Sequence, residues 1–387
     1  MKVNIKNTFL ILLSVVLLFT SCAEKPAEEV VAQPVEKRVS FVGCGDNIIY
    51  VGNIRDAENW AVEGGRKYNF KPTFDEVAEK IKGADISFIN QETLMCGEGY
   101  DISFYPCFNS PQDLGYDLVE LGFDVVGIAN NHMLDKGSAG LYETIKFWKK
   151  QDCLMIGGYE NQTDYAIPRI LSKNGIDIAF LSYTYATNGI TKNPTSPLII
   201  PYIEDEVIKS QVAAAKEVSD FVMVMIHWGN EDQFMYSDEQ KRVGQIIADA
   251  GADAIIGHHP HVIQPIEWIT GVNGNKTLCV YSLGNFAAEQ AYQYNMVGGM
   301  IEFDIVKVDN EKAVIETPIF NPTVLHYRRD LGGNKIYYLK DYTRDLASVH
   351  AVKTFFGNKF DYDTLFGYVY DTIPPEFLPA EYKKPLS

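Results

Sequence analysis

Apolar and polar positions along the chain follow one repeated pattern. A short acidic lead-in precedes an apolar run, and the run ends in residues able to ligate or hydrogen-bond. Residues 85–89 lead to Asn90-Gln91-Glu92, and residues 124–129 lead to Asn130-Asn131-His132. Residues 220–226 lead to His227-Trp228-Gly229, and residues 253–256 to Gly257-His258-His259-Pro260-His261. Residues 279–283 lead to Gly284-Asn285-Phe286. Apolar, β-branched runs of this length predict buried strands. Between them lie stretches of helical spacing. Residues 72–82 place Phe74, Val77, Ala78 and Ile81 on one face, and residues 140–150 place Leu141, Thr144, Ile145 and Trp148. Residues 237–250 open with Ser237 and, three positions on, Gln240, which predicts a capping box.

Strands alternating with helices predict α/β architecture. Ligands in such sheets gather beyond the carboxyl ends of the strands, where the polar clusters fall. After Phe286 the pattern changes. Residues 300–308 and 312–319 read as antiparallel strands around Asp309-Asn310-Glu311, and residues 336–339 as a further strand. The aromatic, proline-containing stretch 341–387 reads as packing and cover.

The N-terminus reads as an export signal. Lys2 and Lys6 precede an apolar segment, residues 9–19, too short to span a bilayer. The following Leu18-Phe19-Thr20-Ser21-Cys22 resembles the lipobox of bacterial lipoproteins, with Cys22 as the acylated residue. The predicted organisation is a signal peptide at 1–21, a disordered tether at 22–38, a main domain at 39–325 and a C-terminal extension at 326–387. The expected location is the cell envelope, lipid-anchored outside the cytoplasmic membrane. Five cysteines remain after Cys22. Cys96 and Cys107 are read either as one loop-closing disulfide or as free thiols. The formal charge of −17 repels nucleic acid and excludes a general nucleic-acid role. An anionic substrate would need a local positive centre.

Divalent metals of the zinc, manganese and iron type take imidazole and carboxylate ligands. The candidates are Asp46, Glu92, Asn131, His227, His259 and His261. The glycines of Gly43-Cys44-Gly45 let the backbone turn so that Asp46 enters a site, although Gly-Asp is equally a turn signal. Four of the seven histidines fall at His227 and within 258–261. His259 and His261 flank Pro260, a spacing that lets two imidazoles converge on adjacent ions, with His258 outside the ligand set. His132 reads as a catalytic acid or as a hydrogen-bonded loop residue. Asp135, Glu231, Gln264, Glu267 and Asn285 are candidates to receive the second ring N–H of a ligating histidine.

In this order, Gly45-Asp46, Asn90-Gln91-Glu92-Thr93, residues 129–137, His227-Trp228-Gly229-Asn230-Glu231, residues 257–262 and residues 281–286 resemble the CapA family of bacterial capsule (poly-γ-glutamate) synthesis proteins. The resemblance runs from about residue 39 to 286. It implies a calcineurin-like metallophosphoesterase-type fold: a four-layer β-sandwich flanked by helices, here with a C-terminal β or irregular extension. It further implies two divalent ions (Mn, Zn or Fe) held by the six candidates, Glu92 bridging and His132 as acid beside them. Asp135, Glu231 and Asn285 would support these groups. In one respect the chain departs from the phosphoesterase pattern. Asp46 is followed by Asn47 and Ile48, where those enzymes place Asp-x-His. The expected function is metal-dependent hydrolysis or transfer on an anionic polymer such as poly-γ-glutamate, with a capsule synthase or exporter complex as partner. A non-catalytic partner of such a synthase, or a phosphodiesterase on the same scaffold, are the alternatives.

Overall fold

The computed structural model describes residues 34–328 and 333–382. The signal segment, Cys22 and most of the expected tether lie outside the described residues. The first strand starts at Glu36, earlier than the expected boundary at residue 39.

Two sheets carry the fold. The first runs in the order β14 (Lys335–Tyr338), β13 (Val314–His326), β12 (Val297–Val308), β1 (Glu36–Asn47), β2 (Ile86–Gln91), β3 (Val125–Gly127), β4 (Leu154–Ile156). A short strand, β11 (Asn285–Ala287), lies parallel to the end of β1. The second runs β5 (Ile170–Lys173), β6 (Ile176–Thr184), β7 (Phe221–His227), β8 (Ala254–His258), β10 (Lys276–Val280), β9 (Ile266–Thr270). Strands β1 to β4 are mutually parallel, as are β6, β7, β8 and β10.

Strand β7 shows how sequence becomes layers. Its side chains alternate between faces. Phe221, Met223 and Met225 join the core shared with residues of the first sheet such as Phe41 and Phe88. Val222, Val224 and Ile226 instead meet helices Asp205–Lys216 and Asp238–Asp249 through Ile208, Val212, Val243 and Ile247. Both faces are buried, which explains an unbroken apolar run. Helices Gln112–Glu120 and Gly137–Trp148 join the shared core through Leu114, Leu118, Leu141, Ile145 and Trp148.

The capping box forms as expected: the Ser237 hydroxyl accepts from Gln240 N at 3.2 Å, and Gln240 Oε1 accepts from Ser237 N at 2.9 Å. Three expectations are corrected. The 72–82 helix splits into a 3-10 turn, Lys71–Phe74, and a helix, Ala78–Gly83. Here Thr73 N and Val77 N bond three residues back, to Phe70 O and Phe74 O. The strand expected to reach residue 283 ends at Val280, because Tyr281 N bonds Pro265 O and Leu283 N crosses to Gly257 O. Beyond β14 the described C-terminal extension holds, besides irregular stretches such as residues 355–361, helices Arg344–Val349 and Tyr362–Thr372, which the expectation lacked. Their Leu365 and Val369, with Leu339 and Val352, join the main core. Among the described residues Cys44, Cys96, Cys107, Cys153 and Cys279 are free thiols.

Candidate metal centre

The carboxyl ends of β1, β2, β7 and β8 meet. Register pairs Asp46 with Asn90 and with Asn285, and His227 with His258. That close meeting needs glycine. A Cβ on Gly45 would stand 2.1 Å from Gly284 O, and one on Gly257 would stand 2.0 Å from Tyr281 O.

Past β8 the chain turns through left-handed backbone at His259 (φ +97°) and His261 (φ +56°). Non-glycine residues there cost on the order of 1–3 kcal/mol each, and such strain gathers at functional sites. The turn brings the rings of His259 and His261 to 5.9 Å, and those of His259 and His227 to 4.7 Å.

Asp46, Glu92, Asn131, His227, His259 and His261 are all buried and brought together. Asp46 Oδ1 accepts from Asn90 Nδ2 at 2.8 Å and lies 3.1 Å from His258 Nδ1. Its Oδ2 accepts from His259 N at 3.1 Å and lies 3.2 Å from His261 Nδ1. Asn131 Oδ1 is 2.9 Å from His227 Nε2, while its Nδ2 donates to Asn188 Oδ1 at 3.2 Å. Asn188 thereby turns the amide oxygen toward the site. Glu92 Oε1 stands 3.6 Å from His227 Nε2 and 3.8 Å from His261 Nε2.

Both carboxylate oxygens of Glu92 are buried without a hydrogen-bond partner, as are Nδ1 of His227 and Nδ1 of His259. Burying such a carboxylate unpartnered is expensive, and a cation resolves it. Two groups have ligand atoms within 4.8 Å of one another: Glu92, His259 and His261, and Asp46, Glu92 and His227. Glu92 belongs to both. Carboxylate, amide oxygen and imidazole together suit zinc, manganese or iron.

The electrostatics agree with a cation site. Burial opposes ionisation of Asp46, but the imidazoles of His258 and His261 outweigh it and hold the carboxyl well below its usual range. Burial drives Glu92 well above its usual value, and the Asp46 charge adds to the rise. Burial and the neighbouring His259 push His227 well below its ordinary value. Burial, with the charge of His261, takes His259 down to about 3. For His261 burial opposes the charge, but the Glu92 and Asp46 carboxyls raise it to about 9. Groups whose hold on a proton is strengthened in this way release it when a divalent cation binds.

Beside this cluster, His132 Nδ1 lies 2.7 Å from Asp135 Oδ2, which also accepts from Phe108 N at 2.6 Å. The Phe108 ring stands edge-on to His132 at 4.8 Å. His261 Nδ1 is 3.1 Å from Asn285 Oδ1. Three expected supports stand elsewhere among the described residues. Glu231 is exposed and acts on Glu92 and His261 only through its charge. Gln264 binds Gln240 and the carbonyl of Gln233, and Glu267 accepts from the Tyr281 hydroxyl.

Residues 40–290 match the family described as bacterial capsule synthesis protein PGA_cap. The chain belongs to this family. It is 32% identical to the PGA biosynthesis protein CapA of Bacillus subtilis (strain 168) over 192 residues, 49% of each chain. It is also 32% identical to the capsule biosynthesis protein CapA of Bacillus anthracis over 207 residues, 52% of this chain and 48% of that one. The chain thus spans about half the length of these relatives in the matched region. Among solved structures, a 5'-nucleotidase precursor from Thermus thermophilus is similar with a TM-score of 0.42 and 14% identity, over 72% of this chain and 54% of that one. The calcineurin-like phosphoesterase YfkN from Bacillus subtilis gives a TM-score of 0.41 and 14% identity, over 73% and 91%.

In this PGA_cap member some site residues escaped sequence reasoning. Asn90 lay inside a noted motif, but its bond to Asp46 needs the strand register. Tyr185, whose ring lies 4.6 Å from that of His259, and Asn188 come just after strand β6. The alternating run Ile176–Thr184 and the Asn188-Gly189 pair were the signal for that strand and its turn. His258 was given no role; it holds Asp46. After Asp46, Asn47 Nδ2 donates to Gln91 Oε1 at 2.6 Å, and Ile48 packs with Phe108.

Proposed function

We propose that this chain is a dinuclear metal-dependent hydrolase of the capsule system, acting on an anionic polymer of the poly-γ-glutamate kind at the cell envelope. The observation that carries the reading is Glu92: one buried, unpartnered carboxylate belonging to two ligand groups. His259 and His261 would complete one cation site with it, and Asp46 and His227, with Asn131 beside His227, the other. When bound, two divalent ions supply water activation and polarise a substrate oxygen. They also provide the local positive centre that a protein of formal charge −17 otherwise lacks for an anionic chain. The lipobox-like Cys22 supports an envelope location, and the capsule-related names of the relatives support the polymer class.

The chain's own residues handle the proton. Asp135 holds the Nδ1–H of His132 and so fixes the ring. His132 Nε2 is then left to pass a proton to the departing nitrogen as the amide bond opens. Asn188 fixes the amide of Asn131, and Asn90 and His258 fix Asp46.

The test is metal analysis of the purified protein, followed by incubation with γ-linked polyglutamate before and after chelation. Bound divalent metal and chelator-sensitive shortening of the polymer are expected. Metal-loaded protein that leaves the polymer intact but cleaves aryl phosphate diesters would replace this reading with the phosphodiesterase one.

A further inference from the structure

A second cavity of about 300 Å³ opens beside the metal centre. Tyr185 joins the two. Its N–H donates to His227 O at 3.0 Å, its ring lies on His259, and it also lines the cavity. The volume sits at the lower end for small-molecule sites. The floor includes buried Trp228, and the polar lining comes from Asn230, Ser237, Glu239 and Gln240. No lysine or arginine lines it among the described residues. Arg242 binds Glu239 from outside the lining and offsets that one charge.

The loop between the cavity and the metal centre carries Glu231. The loop is pinned at both ends. Gly229 (φ +88°) and Asp232 (φ +61°) turn it, and Asp232 N donates to Pro260 O, between the two ligand histidines, at 2.9 Å. Asn295 Nδ2 donates both to Asp232 Oδ1 (2.9 Å) and to His261 O (3.1 Å). Glu231 itself is exposed, and its charge reaches Glu92 and His261 inside the site and Tyr50 and Tyr185 at its rim.

An ammonium group meets the Asn230 amide oxygen and an aromatic face in the cavity, with the Glu231 carboxylate on the adjoining loop. We infer that this cavity and Glu231 form the subsite for the amino-bearing terminal residue of the substrate chain, so that the enzyme works inward from that end. The inference rests on the hydrolase reading above. The step is a hydrolysis: the first amide C–N bond breaks, water's oxygen joins the carbonyl carbon, and a proton reaches the released nitrogen.

The experiment uses short γ-linked glutamate oligomers with a free or an acetylated amino end, offered to metal-loaded wild-type protein and Glu231→Gln. Binding is read by calorimetry and turnover by product analysis. The free-amine oligomer is expected to bind more tightly, to release single residues, and to lose about three- to tenfold in affinity and KM, not kcat, in Glu231→Gln. The acetylated oligomer should not respond to the substitution. Turnover without preference for the free amine overturns the subsite and leaves the hydrolase reading standing. Amine-selective, Glu231-dependent binding without turnover supports the subsite and overturns hydrolysis. Neither selectivity nor turnover overturns both.

Discussion

Glu92 makes the largest unmet electrostatic demand in the site, because both oxygens are buried without a donor. Glu92→Gln should therefore abolish tight metal binding and activity while leaving the fold in place, measured by metal analysis and circular dichroism. The histidines divide by what they touch. His259→Ala and His261→Ala should each lose metal outright. His258→Ala should lower affinity by about 10- to 100-fold, the usual effect of removing a group that orients a ligand, because His258 holds Asp46. Equal loss in all three would show that His258 is itself a ligand. His132→Asn should keep metal and melting temperature but lose about 10²–10⁴-fold in turnover. A fall in melting temperature with turnover per folded molecule intact would make it a loop residue instead. Metal affinity should also rise with pH. Glu92 is raised and His261 stands at about 9, so protons compete with the metal through neutral pH and must leave as it binds. Calorimetric titrations at pH 6, 7 and 8 should show affinity climbing with proton release; a flat profile would contradict these proton positions.

At the scale of elements, the strands owe their convergence to glycines. Gly45→Ala would drive a methyl group into the Gly284 carbonyl, a backbone atom with little room to move. About 1–3 kcal/mol of destabilisation is expected from such overpacking, read by chemical denaturation. Unchanged stability would mean that β1 and the 283–285 segment separate freely. Much of this arrangement is legible in the sequence. Apolar runs in 85–89, 124–129, 220–226 and 253–256 become β2, β3, β7 and β8, since strands buried on both faces leave an unbroken apolar record. Strand β6 was missed: its alternation is interrupted by Ser182 and Thr184, and its importance lies in the site residues it delivers, Tyr185 and Asn188. The pairing of Asp46 with Asn90 and His258 was hidden too, because register between strands far apart in sequence leaves no local trace. Glu231 was misplaced for a related reason: its position near His227 in sequence says nothing of which way the pinned loop presents it.

At the scale of the whole molecule, the described residues from Val35 onward form one compact unit. The C-terminal helices belong to its core, which the aromatic composition of the tail suggested without revealing helices. Two buried histidines mark this packing. His326 lies 2.8 Å from the Tyr342 hydroxyl, and His350 Nε2 donates to Leu325 O. Burial, with the charge of Arg328 adding to it, lowers His326 to about 4. Burial lowers His350 to about 3, outweighing its bond to Leu325 O. Both histidines are neutral in the fold and gain protons more readily when unfolded. Stability is therefore full above the unfolded value near 6.5, falls as pH drops below it, and levels off near the folded values. The loss over that window is about 3 kcal/mol for His326 and about 5 kcal/mol for His350. His326→Phe should flatten the acid limb of stability against pH, compared in metal-loaded protein; an unchanged limb would place the acid sensitivity elsewhere.

The central claim is that Glu92 is shared by two cations. Crystals grown with manganese and measured for anomalous scattering test it most directly. The account predicts two peaks roughly 3.5–4 Å apart on either side of the Glu92 carboxylate, one near His259 and His261, the other near Asp46, Asn131 and His227. A single peak, or peaks that leave Glu92 without a metal contact, would contradict it.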